Sequence, residues 1–294
     1  MDLQDLIKAG AANRKARQFR AAVDCYLRAL ALEPHHLQAL KGLADAYRGV
    51  GDGKRCLETW DRFLALRPQV GSVQARVGDA CRRLGLAERA AEHYHAALRH
   101  DPGDRHAWTG LGDLHQRERR PEAALACWER LLELDPRLLH IRTMAGNLCR
   151  KKLDFARAEH HFREALRQEA DNVHAVFGLA DALRGLGRFE EAAPYWDEML
   201  KADGANKQVL CRAGDCYARL GNLTGAEALF RRALDQGYDR SALLGLARVH
   251  GLRGASADAV RCYEVILARN PGDSRTSQLL AQARAEAMAG GVES

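Results

Sequence analysis

Apolar and small residues recur along this chain in paired blocks of helical period, each pair closed by a short polar turn. The stretch Arg105–Leu138 shows the unit most clearly, reading RHAWTGLGDLHQRERR and then PEAALACWERLLELDPRL. Trp108, Leu111 and Gly112 stand three and four residues apart in the first block, and Ala124 and Trp128 stand four apart in the second. That spacing marks one face of an α-helix in each block. Pro121 suits the start of the second helix, because the first turn has no use for its missing N–H. Two antiparallel helices joined by a short turn are therefore expected.

A frame of 34 residues carries this pattern through nearly the whole chain. With positions numbered from the start of each unit, the units are 3–36, 37–70, 71–104, 105–138, 139–172, 173–206, 207–239 and 240–273. The seventh is one residue short. Position 20 is Ala22, Ala90, Ala124, Ala158, Ala192, Ala226 or Ala259, and position 24 is Tyr26, Trp60, Tyr94, Trp128, Phe162, Trp196, Phe230 or Tyr263. Gly51, Gly85, Gly187, Gly221 and Gly254 fall where the first helix must end, suiting a left-handed closing residue. Pro194 lies inside a second helix, where a lost hydrogen bond should kink it. Residues 274–294 begin with a cap-like Ser, continue as SRTSQLLAQARAEAMAG, and should cover the open end of the array before a frayed Gly-Gly-Val-Glu-Ser tail. With only 7 Pro and few β-branched residues, a sheet is not expected.

Small residues at positions 8 and 20, large ones at 7 and 24, and a proline at 32 resemble the tetratricopeptide repeat (TPR) over about nine-tenths of the chain. The chain departs from that pattern at position 4, where only Trp108 is aromatic, and at Ala170 and Gly204, which replace proline. The resemblance implies an all-α, right-handed superhelical solenoid: one array over 3–273 with a terminal cap. It further implies a scaffold that holds a protein or peptide of unknown identity in a concave groove lined by positions 2, 5, 6, 9, 12 and 13 of each first helix.

Position 9 supplies acids along that groove: Asp45, Asp79, Asp113, Asn147, Asp181 and Asp215. Positions 12 and 13 supply bases: Arg14, Lys15, Arg48, Arg82, Arg83, Arg117, Arg150, Lys151, Arg184 and Arg219. The two stripes can meet a peptide's donors and acceptors. They can equally pair with each other on one helix, as Asp45–Arg48, Asp79–Arg83, Asp113–Arg117, Asp181–Arg184 and Asp215–Arg219, each worth only about 0.2–0.5 kcal/mol. The carboxylate clamp of some TPR modules needs Lys and Asn where this chain has Ile7 and Ala11, so that role is not expected.

A longer period of 68 residues overlies the first. Position 27 is Ala29, Ala97, Ala165 and Ala233 in odd units but Phe63, Leu131, Met199 and Ile266 in even ones. Position 6 alternates in step, with Lys8, Arg76, Met144 and Arg212 against Gly42, Gly110, Gly178 and Gly245. Each glycine inside a helix costs up to ~1 kcal/mol relative to Ala. The expectation is that they open shallow pockets on the groove floor between long basic side chains, and that replacing them with Ala raises stability.

Composition changes this picture little. The net charge of +6 is modest, and no G-x-S-x-G, phosphate loop, H-E-x-x-H or dinucleotide fingerprint occurs. Neither an enzyme nor a cofactor is expected. His106, His140 and His174 share position 2, but neighbouring units stand about one helix diameter apart, ~10 Å. Metal ligation needs donors near ~2.1 Å, so these histidines are read as solvated or as ligand contacts. RNA binding through the arginines is the alternative function, disfavoured by the facing carboxylates and by Phe177 being the sole groove aromatic. All eight Cys lie in predicted helices without a C-x-x-C pair, which suits a reducing compartment. MDLQDLIKAG has no apolar core, so no signal peptide is expected, nor any membrane span. The whole reads as a cytoplasmic adaptor, monomeric or weakly self-associating.

Overall fold

The computed structural model describes residues 1–68 and 70–290, which divide into two compact units, Met1–Ile141 and the residues from Arg142 onward. The first holds α1 (Leu3–Lys15), α2 (Phe19–Leu32), α3 (Leu37–Val50), α4 (Gly53–Leu66), α5 (Gly71–Arg83), α6 (Ala87–His100), α7 (Arg105–Arg117) and α8 (Pro121–Leu134). Helix α9 (Leu139–Lys151) begins in the first unit and continues in the second. The second goes on with α10 (Phe155–Gln168), α11 (Val173–Gly185), α12 (Phe189–Ala202), α13 (Lys207–Arg219) and α14 (Leu223–Asp235). It ends with α15 (Arg240–Leu252), α16 (Ser256–Arg269) and α17 (Ser274–Gly290). Among the described residues every regular element is helical.

In each unit an odd-numbered helix, called A, packs on the even-numbered helix B that follows, and B packs on the next A. The A helices also touch along one side, α1 with α3 and α5 with α7 in the first unit and α13 with α15 in the second. Turns of two or three residues join A to B, and turns of four residues join B to A. Such short connections force the antiparallel arrangement. Helix α14 has 13 residues where the other B helices have 14, and so absorbs the short seventh repeat.

Sequence chemistry explains where helices start and stop. Asp104, Asn172, Asn206 and Asp239 accept backbone N–H groups at the starts of α7, α11, α13 and α15. At α17 this role falls to Asp273 and not to Ser274: Asp273 accepts the Thr276 N–H at 3.1 Å and its hydroxyl at 2.8 Å. Gly51, Gly85, Gly187, Gly221 and Gly254 all close A helices with positive φ. The three remaining repeats place Arg17, Arg119 and Leu153 there, also at positive φ, where a side chain is strained. Helix α12 continues through Pro194 without interruption. Repeats lacking the turn proline close as the others do; at Gly204 the carbonyl accepts Arg232 at 2.7 Å.

The core is the seam between A and B. Tyr26, Trp60, Tyr94, Trp128, Phe162, Trp196 and Phe230 are fully buried, and the position-20 alanines make room for them. Burying rings of this size supplies most of the cohesion. At the C-terminal end Thr276 and Ala283 turn inward from α17 while its other face meets water, as a cap requires. Of the expected frayed tail, Gly290 instead ends α17, and residues 291–294 lie outside the described residues.

Candidate functional site

The polar side chains of the A helices are where a recognition surface was expected, and they prove to be bound mainly to each other. In the first unit the Asp45 carboxylate is 5% exposed. It receives Arg14 from α1, Arg76 Nη1 from α5 at 2.8 and 2.9 Å, and Arg48 of its own helix at 3.6 Å. Asp79, 6% exposed, accepts the Tyr94 hydroxyl at 2.7 Å and His106 Nε2 at 2.7 Å, with Arg82 at 3.5 Å. Arg82 also reaches Asp113 at 3.4 Å.

The second unit repeats the arrangement. Asp181, 2% exposed, is met by Arg150 of α9 at 2.6 Å, Arg184 at 2.8 Å and Arg212 of α13 at 3.5 Å. Asp215 takes Arg184 at 3.2 Å and Arg248 of α15. Arg150 also bonds Asn147 at 3.4 Å. The position-9 acids and position-12 arginines thus form a ladder across repeats with partners 31 residues apart, and Arg76 and Arg212 at position 6 and Arg248 at position 9 reach the same carboxylates from the following repeat.

This corrects the expectation of solvated pairs within one helix. Asp45–Arg48 and Asp181–Arg184 exist but are supplements to cross-repeat pairs. The i,i+4 pairs Asp79–Arg83, Asp113–Arg117 and Asp215–Arg219 do not occur among the described residues. Position 13 faces elsewhere, toward the first residue of the preceding B helix: Gly49 lies against Phe19, Gly185 against Phe155, and the Arg219 guanidinium sits 6.0 Å over the Phe189 ring. Lys15, Arg83, Arg117 and Lys151 at that position are exposed or nearly so, and none forms an ion pair among the described residues. Arg83 borders a small cleft of about 140 Å³ with Cys56 and Leu84.

Electrostatics follow from the pairing. Burial pushes the Asp79 carboxyl up, yet the hydrogen bonds from His106 and Tyr94 outweigh it and hold the group at about 2. Burial likewise opposes ionisation of Asp181, and the charges and hydrogen bonds of Arg184, Arg212 and Arg150 overcome it, leaving the pKa lowered. The Asp79 hydrogen bond raises His106 above its ordinary value. His140 and His174 are exposed. Among the described residues no group of three His, Cys, Asp or Glu could hold a metal ion.

Three of the four expected glycine pockets are filled by the protein itself, whereas Gly245, though packed on Phe230, borders an open cleft beside Arg212 as expected. A Cβ at Gly42 would fall inside the Tyr26 ring, one at Gly110 inside Tyr94, one at Gly178 inside Phe162 and one at Gly245 inside Phe230. These rings belong to the odd repeats, and each also lies against a glycine of its own A helix: Gly10, Gly78, Gly146 or Gly214. The 68-residue alternation is therefore a packing rule, with Tyr or Phe wedged between two glycines.

Open space lies further along, in the second unit. A cleft of about 570 Å³ between α13 and α15 is bordered by Lys207, Gln208, Arg212, Asp215, Ser241 and Arg248. Cys211 also lines it; burial and the neighbouring Asp239 push its thiol up to about 12, so it stays protonated. A second cleft, of about 550 Å³, lies between α15 and α17 and shares Leu244 and Arg248 with the first. The lining of the α13/α15 cleft falls mainly on positions 2, 5, 6 and 9, four of those expected to line a groove, and includes Arg212, Asp215 and Gly245, which the sequence singles out by number. The available signal was the end of the ladder in the last repeat, where Arg248 stands at position 9 and Gly251 at position 12.

An all-α repeat of antiparallel helix pairs, stacked so that A helices share one side, defines a helical-repeat class of protein. Family models described as tetratricopeptide repeat match residues 7–52, 71–114, 106–138, 143–207, 181–237 and 211–274. The chain belongs to the tetratricopeptide-repeat family. Membership supports a protein-interaction scaffold. Solved structures agree on the fold. A tetratricopeptide repeat protein from Parabacteroides merdae is 16% identical, with a TM-score of 0.55 over 84% of this chain and 98% of that one. YrrB, a TPR protein with an unusual peptide-binding site, is 21% identical, with a TM-score of 0.53 over 64% of this chain and 98% of its own. The structure of Naa15/Naa10 bound to HypK-THB includes a chain 18% identical, with a TM-score of 0.56 over 84% of this chain and 39% of that one. No curated protein sequence matches the chain. Among the described residues no helix is long and apolar enough to cross a membrane.

Proposed function

We propose that the chain is a non-catalytic scaffold that receives an extended or helical segment of a partner protein along its A-helix face. The observation that supports this reading is the pair of neighbouring clefts flanking α15, both lined by Leu244 and Arg248. There, polar and apolar side chains stay open on a face whose position-9 acids and position-12 arginines are mostly paired with each other. Segments of this kind bind through a few apolar anchors oriented by peripheral polar contacts. The peptide-binding site named for YrrB and the partner-bound Naa15/Naa10 assembly lend the reading support by analogy. The ladder counts against RNA, because the arginines that would reach phosphates already hold carboxylates. Free cysteines, six of them buried, accord with a cytoplasmic setting.

Affinity capture with the full chain, followed by mass spectrometry, identifies the partner. Gln208→Trp and Ser241→Trp then obstruct the α13/α15 cleft from exposed positions. Loss of the captured partner with an unchanged helical circular-dichroism signal is expected. Full capture by the double variant, with cross-links mapping to the B helices, would reject the A-helix face.

A further inference from the structure

The cleft between α15 and α17 exists because the ladder stops there. Position 12 holds Arg14, Arg48, Arg82, Arg150 and Arg184 in five repeats, Gln116 and Ala218 in two, and Gly251 in the last, and the facing residue of α17 is Gln282 in place of an acid. No position-12 arginine crosses the gap; Arg240 bridges it only at the start of the two helices. Gly251 also differs from the ring-packed glycines: a Cβ built on it would meet nothing within 4 Å. Nothing in the fold requires a glycine there, and it weakens the last turn of α15 relative to Ala. What it leaves is open volume above Leu244, Tyr263 and Leu279.

The charged side chains that rim this apolar floor are mostly basic. Arg240, Arg248 and Arg275 line the cleft against a single acid, Glu286. Arg240 is held by Asp273, and Arg248 by Asp215, though its side chain remains 40% exposed. Arg275 is exposed and makes no ion pair among the described residues. Because Arg240 lies within 3.4 Å of Thr276, the starts of α15 and α17 adjoin, which puts Arg275 at the basic end of the cleft and Gly251 toward the other.

Resting on the scaffold reading above, we propose that this cleft seats a bulky apolar side chain of an acidic peptide segment of the partner protein, with a neighbouring carboxylate on Arg275. About 550 Å³ is within the range of cavities that hold compact ligand groups. An apolar floor confers affinity and an arginine rim confers orientation.

The test uses the full chain and fluorescence anisotropy with a fluorescein-labelled synthetic 12-residue peptide, Leu-Phe at its centre and Asp and Glu around them. Controls replace Leu-Phe with Ala-Ala, or the acids with Lys, and a labelled 12-nucleotide oligouridylate represents RNA. Binding of the acidic apolar peptide is expected to exceed that of every control by at least about tenfold. Gly251→Leu, which fills the cleft, and Arg275→Glu, at an exposed site, should each weaken it at least about tenfold with helicity and Tm retained. Absent binding, equal binding of the Lys or Ala peptide, preference for RNA, or indifference to both variants overturns the assignment. Displacement of the peptide by self-association at raised chain concentration would instead give the cleft to a second copy and also overturns it. If partner capture fails with Gln208→Trp and Ser241→Trp but survives Gly251→Leu and Arg275→Glu, this assignment falls while the scaffold reading stands.

Discussion

Phe162 reaches from α10 into the space where a side chain at Gly178 of α11 would begin. Tyr94 and Gly110 stand in the same relation in the first unit. Gly110→Ala and Gly178→Ala should therefore lower stability, reversing the expectation drawn from helix propensity. Overpacking of about 1–3 kcal/mol exceeds the gain of up to ~1 kcal/mol from removing a helical glycine. Gly251→Ala, with open space around it, should show only the gain. Urea denaturation of the three variants checks the contrast in sign.

Removing one rung of the ladder should be felt in two neighbouring repeats. Asp45→Ala leaves Arg14 and Arg76 without their shared carboxylate while adding little strain. Both arginines are more than a third exposed and can rehydrate, so a loss of about 1–3 kcal/mol is expected, below that for a fully buried pair. A double-mutant cycle with Arg76→Met should return a coupling well above the ~0.5 kcal/mol of exposed helix pairs. Simple additivity would show that the pair is only a contact of convenience.

The rung at Asp79 is the one closed by a histidine. His106 faces Asp79 most closely, with Asp104 and Arg76 also acting on it, and its pKa is raised. A raised pKa means that protonation favours the folded state. This contribution is complete below 6.5 and fades as pH climbs through the higher folded value. Asp79, held at about 2, contributes above its ordinary 3.8 and loses that contribution as pH falls toward 2. The Tm difference between the native chain and His106→Gln should thus shrink from pH 6 to pH 8.5. A difference independent of pH would assign His106 a packing role alone.

Tyr94→Phe isolates the hydroxyl on that rung, since Phe162 and Phe230 show that a phenyl ring suits the position. The buried Asp79 would lose the donor at 2.7 Å, at a cost of about 1.5–3 kcal/mol for a hydrogen bond to a charged group. Helicity should be retained, and chemical denaturation reads the loss.

How far the sequence reaches is visible in these same residues. Gly51 and its equivalents announced the helix ends, because a left-handed residue leaves a local mark. Asp45 and Arg14 were both selected, but reasoning confined to one helix face paired Asp45 with Arg48 and missed the partner 31 residues away. The glycines were seen to alternate, and the alternating rings at position 24 were read only as core. That a ring in one helix dictates a missing side chain in the next is a three-dimensional fact about neighbours. The cleft beside Gly251 is legible in principle, as the place where a glycine stands at position 12 and Gln282 replaces the acid opposite.

The ring–glycine fit also sets the step by which such an array can change length. Excising residues 37–70 alone would bring the Tyr26 ring against the helix carrying Arg76, which has no gap for it. Excising 37–104 would bring it against Gly110 and set Arg14 opposite Asp113, reproducing the contacts it now makes with Gly42 and Asp45. Growth or shortening by two repeats preserves the fit, and by one destroys it. The heritable module of this protein is therefore four helices, twice the unit that the repeat itself defines.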